Sequence, residues 1–170
     1  MRLFNKKIPT SKEAQRIGDN VFRLSQELKN IIISHNCVDF SKINVDGLDY
    51  ALYMYDLEFY RQVMSVKHSQ FFIQVIIRTI CSTFDTNIRN AGNIIRDNYF
   101  LDTYLNLSNS LRQVYNIAQQ DNIDEFVGVS MYFCSNELQL TYNQIELHQK
   151  LVLDIADHFR SIINLPYNKI

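Results

Sequence analysis

Asp154 and His158 stand four residues apart near the end of the chain, so on a helix they share one face. A carboxylate and an imidazole at that spacing can supply two metal ligands. Glu146 and Lys150 extend the same line backward in four-residue steps. Glu, Lys, Asp and His in succession read as a solvated stripe of alternating charge. A di-iron bundle needs Glu-x-x-His on two helices, and that tetrapeptide does not occur. Neither a metal site nor a cofactor is therefore expected.

Arg61 and His68 lie seven apart, two turns along one helix if that helix is continuous. An arginine followed, after four to six residues, by a histidine resembles the motif of HEPN-domain ribonucleases. Those are small all-helical proteins, often dimeric. The resemblance implies a histidine acting as general acid or base and an arginine stabilising the phosphorane. It rests on these two residues. The motif sits mid-chain, whereas the family carries it on a late helix, and Gln62 follows the arginine where a smaller polar residue is usual. An exposed arginine and a turn histidine is the competing reading.

Other polar groups point less far. Arg78, Arg89 and Arg96, with Asn93 nearby, fall near one helix face that could meet phosphate or an acidic partner, but Asp85 dilutes its charge. His35 closes an apolar stripe, where a cation at a helix C-terminus is favoured. His148, between Ile145 and Val152, is placed at the edge of the core. Cys37, Cys81 and Cys134 are widely spaced and form no CxxC pair, so free, mostly buried thiols are expected. P-loop, dinucleotide, nucleophile-elbow and HExxH signatures are all missing.

The second helix draws more attention. Leu48, Leu52, Tyr55, Phe59 and Val63 form one stripe, and Tyr50, Tyr53, Leu57, Tyr60 and Met64 form another beside it. Asp49, Asp56, Glu58, Arg61 and Gln62 are left to keep its surface polar. A helix apolar over most of its circumference is central or lies at an interface. Tyrosine suits interfaces, because it buries area and keeps a polar tip. Tyr50, Tyr53, Tyr60 and Met64 are the candidate protein interface, with the centre of the bundle as the alternative place for them.

These residues need helices to position them. Residues 1–10 read as an extended lead-in ending near Pro9. Thr10 or Ser11 can cap a first helix reaching His35, along Ile17, Val21, Leu24, Leu28 and Ile31. Asp46 is expected to cap the second helix, and Lys67 to Ser69 to interrupt it. Ile73, Ile77, Ile80, Phe84, Ile88, Ala91 and Ile95 carry a third, ending near Asn98. Leu101, Tyr104, Leu107, Leu111, Val114 and Ala118 carry a fourth, before a polar connection over Gln119 to Asp124. Phe126 to Phe133 has strand propensity, but with no partner strand it is read as a short helix or the start of the last one. Leu138, Tyr142, Ile145, Val152, Ile155, Phe159 and Ile162 carry the final helix, which Pro166 ends.

Composition agrees with this pattern. The chain has four glycines and two prolines in 170 residues, too few for the many tight turns of a β-rich fold. Hydrophobic residues make up 46%, enough for a core without a metal or disulfide. A net charge of −1 gives no global support to nucleic-acid binding. The basic N-terminus is followed by no apolar signal region, and the run from Phe71 to Phe84 falls short of a membrane span. A cytoplasmic location and no membrane partner are expected.

The expected fold is all-α: an antiparallel bundle of about five long helices in one domain over residues 11–165, with a short tail at 166–170. The expected function is non-catalytic, through protein–protein contact as a homo-oligomer or as a small subunit or adaptor of a larger assembly. A HEPN-like ribonuclease or its inactive relative, and a sensory bundle holding an apolar ligand, are the alternatives.

Overall fold

Periodicity and capping account for most of the helices. The computed structural model describes residues 11–63 and 97–165. Helix α1 spans Ser11–His35 and buries Ile17, Val21, Leu24, Leu28 and Ile32 along one stripe. Asn36 then turns the chain in a left-handed conformation with φ 50°. Asparagine tolerates that region and here replaces the usual terminal glycine. A 3-10 turn at Phe40–Lys42 leads into α2, Val45–Val63. Asn44, not Asp46, caps α2: its side chain accepts a hydrogen bond from the Gly47 amide at 3.2 Å. Asp46 lies inside the helix.

The expected third helix, with the break at Lys67 to Ser69, falls outside the described residues. Helix α3 spans Asp97–Gln120, and Asn98 lies inside it. It buries Tyr104, Leu111 and Ala118. Asn122, with φ 54°, turns the chain back. Helix α4, Glu125–Asn136, is capped by Asp124, which accepts from the Phe126 and Val127 amides at 2.9 and 3.1 Å. The segment with strand propensity is therefore helical. Gly128 lets α3 approach closely, since a Cβ there would stand 3.2 Å from that of Ala118.

The final stretch is two helices, not one. After α4 the chain is irregular through Gln139, at φ 54°, and the Leu140 amide bonds back to the Cys134 carbonyl at 3.0 Å. Leu138 is buried in that segment. Thr141 and Gln144 then form a reciprocal capping box that starts α5, Tyr142–Leu147. His148 breaks the helix, and α6 runs over Gln149–Ile163.

All regular structure among the described residues is helical, and the helices pack as a bundle. Its centre is α2, where nine consecutive residues, Leu52 to Tyr60, are buried. Phe159 of α6 stacks on Phe59 at 4.5 Å between ring centroids, and Tyr55 meets Phe133 of α4 edge-on at 4.9 Å. Contacts between α2 and α4 run in opposite directions, Tyr55 on Phe133 and Phe59 on Phe126. Those between α2 and α3 advance together, Glu58 on Tyr104 and Gln62 on Tyr115.

Candidate functional site

The stretch of α2 from Leu52 to Tyr60 is buried and has no solvated face for its two acids, Asp56 and Glu58. Positions two apart on a helix point about 200° away from each other. The two carboxylates therefore serve different neighbours. Both were expected to keep the surface of α2 polar, yet Asp56 is 0% and Glu58 2% exposed.

Glu58 faces α3. It accepts hydrogen bonds from Arg61 Nε at 3.1 Å and Nη2 at 2.6 Å, from the Tyr104 hydroxyl, and from Ser108 Oγ at 3.4 Å. The carboxylate holds the guanidinium firmly charged, above its already high range. Burial and then Glu58 push the Tyr104 hydroxyl up. One turn on, Gln62 donates to the Tyr115 hydroxyl at 3.1 Å, and burial pushes that phenol up to about 12. This network ties α2 to α3 with satisfied polar groups.

Asp56 faces α6. Nε2 of His158 stands 3.0 Å from both of its oxygens. Burial pushes the Asp56 carboxyl up, and the histidine opposes that shift. The expected solvated stripe thus divides. Lys150 and Asp154 pair on the surface at 2.9 Å, but His158 turns inward. Asp154 also meets His35 of α1 at 2.7 Å, and Lys150, then His35, holds its carboxyl low. Helix α6 is therefore bridged to α1 and to α2 by two Asp–His pairs in consecutive turns. A further, part-buried contact joins the Tyr55 hydroxyl to Glu137 at 3.3 Å, where burial raises the Glu137 carboxyl.

The sequence-predicted site residues are distributed as follows. Tyr53 and Tyr60 lie in the chain's own core at 1% exposure, and Tyr50 is half-buried. As placed, Tyr53 and Tyr60 face inward and do not form a free interface. Arg61 is half-buried and engaged by Glu58, while His68 and Met64 lie outside the described residues. So do Arg78, Arg89, Arg96 and Cys81. Cys134 is buried and Cys37 half-buried, both as free thiols.

Among the described residues, no group of three or more His, Cys, Asp or Glu side chains is placed to hold a metal ion. Nor is any described helix long and apolar enough to cross a membrane. Comparison with protein-family models, with curated proteins and with solved structures returns no match. Chemically, the clusters on α2 and α6 are reciprocally satisfied ion pairs and hydrogen bonds, an arrangement that orients helices.

Proposed function

We infer that this chain is a non-catalytic helical bundle acting through protein–protein contact, as a homo-oligomer or as a small subunit of a larger assembly. What supports the reading is the outer side of the C-terminal helices. Leu147 is 80% exposed, Tyr142 67% and Leu153 52%. Single exposed apolar residues are ordinary on a protein surface. Three large ones between Tyr142 and Leu153, on the short helix α5 and the start of α6, favour a contact surface. Tyr53 and Tyr60 of α2 are taken up by the bundle's own packing.

Light scattering on the purified chain at micromolar concentration, paired with affinity capture from its native cells, tests the proposal. The expected result is self-association or a specific partner, lost in a Tyr142→Ser/Leu147→Ser variant with unchanged circular dichroism. A monomer that captures nothing specific overturns it.

A further inference from the structure

We propose that Asp56 and His158 form a proton-operated latch, which holds α6 on α2 while the pair carries a proton and loosens as that proton leaves with rising pH. The pair joins residues 102 positions apart. Its side chains are 0% and 3% exposed, so water cannot spread the charge of either. With one titratable proton shared between them the two groups are neutral as a unit, whichever group holds it. Without it, a negative charge stays in the interior, where an uncompensated ion is strongly disfavoured.

The surroundings act in the same direction. Among the described residues, Glu27 of α1 is the other charged group acting on Asp56, and its negative charge favours keeping the proton. Elsewhere on α1, Lys29 is paired with Asp49 and His35 with Asp154. On the α3 side, Glu58 is matched by Arg61 and Tyr104, and on the α4 side Glu137 meets Tyr55. One turn back on α6, Asp154 is held by Lys150 as well as His35. Burial keeps the Asp56 carboxyl protonated to a higher pH than usual.

When α6 leaves α2, both groups meet water. A solvated aspartate loses its proton near pH ~3.9 and a solvated histidine near ~6.5. Above about pH 6.5 the docked pair therefore holds one proton more than the undocked pair, and docking must weaken as pH rises. The limiting slope for one proton is about tenfold in the opening equilibrium per pH unit. What opening would bare is the apolar face of α6: Leu151, Val152, Ile155, Phe159 and Ile162.

The test is amide hydrogen exchange on the full chain between pH 6 and 9. Protection factors are compared, which removes the intrinsic pH dependence of exchange. The expected result is that protection in α6 falls with pH, approaching tenfold per unit, and that Asp56→Asn/His158→Gln flattens the profile. A His35→Gln variant keeps the slope. Constant wild-type protection, a double variant that keeps the slope, or loss of the slope in His35→Gln overturns the proposal. Should the double variant not fold, the single Asp56→Asn variant decides: it cannot leave a negative charge at that position of α2, so its profile must be flat, and an undiminished slope sinks the latch.

Discussion

Replacing Arg61 with alanine leaves the Glu58 carboxylate buried and without its cation. The guanidinium supplies two of the hydrogen bonds that Glu58 accepts, and the two from Tyr104 and Ser108 persist. Breaking a buried ion pair from one side costs about 3–5 kcal/mol. Arg61 keeps 27% of its side chain exposed, so water can enter where it stood and lower that figure. We therefore expect a loss of roughly 2–3 kcal/mol, at and just below the bottom of the range for a fully buried pair. In a domain of this size that is a fall in Tm of about 4–12 °C. Paired replacement by Glu58→Gln and Arg61→Met removes both charges, and it should recover most of the loss, since an apolar or neutral substitute for a buried pair is often close to neutral. Urea unfolding followed by circular dichroism, run as a double-mutant cycle, measures the coupling directly. A cost below about 1 kcal/mol for Arg61→Ala, the level of an exposed pair, with negligible coupling would refute the reasoning. The outcome also bears on the ribonuclease alternative. Lost RNA cleavage in Arg61→Ala would confound catalysis with folding, so His68→Ala is the cleaner discriminator.

Further outcomes follow from the rest of the core. Phe159→Ala removes a fully buried ring stacked on Phe59 and should cost about 3–5 kcal/mol in urea unfolding, with Phe159→Leu losing distinctly less. Glu137 has a raised folded-state pKa, so the fold favours its protonated form: its contribution is full below the unfolded value near 4.3 and is lost as pH rises through the folded value. Glu137→Gln should then raise the Tm at pH 7.5, and the gain should shrink toward zero below about pH 4, as calorimetry across that range would record. The Cys134 thiol, pushed up to about 12 by burial, should escape alkylation at pH 8 in the native protein and react once urea unfolds the chain, as peptide mass spectrometry can follow. Gly128→Leu, at the close approach of α3 and α4, should cost about 1–3 kcal/mol by overpacking, read from the thermal midpoint.

Much of the architecture is local, and local features were legible in the residues. The stripe from Ile17 to Leu28 marks α1 because a 3.6-residue period puts those side chains on one face whatever lies opposite. Scarce glycine pointed to helices for the same reason, although Asn36 and Asn122 take over the left-handed positions that glycine usually fills. Other local signals compete with the apolar spacing. Thr141-x-x-Gln144 is a capping box, and it divides a final helix that the apolar spacing alone would carry straight through. Asn44 outcompetes Asp46 as the cap of α2, within one turn of chain.

Tertiary structure alone decided the partners of the buried charges. Asp56 and His158, or Glu58 and Tyr104, are separated by 102 and 46 positions, so no spacing rule links them. The sequence did contain a hint: two carboxylates on a helix otherwise apolar around its circumference must either break the burial or find partners within it. Which of the two happens depends on what packs against α2, a property of the assembled bundle. The line Glu146, Lys150, Asp154, His158 shows the limit most plainly. Its four-residue step puts Lys150, Asp154 and His158 on one face of α6, while Glu146 lies on α5 across the break at His148. Whether that face meets water or the interior is decided turn by turn, where α1 and α2 close over it: Lys150 stays outside, Asp154 bridges to His35, and His158 is buried against Asp56.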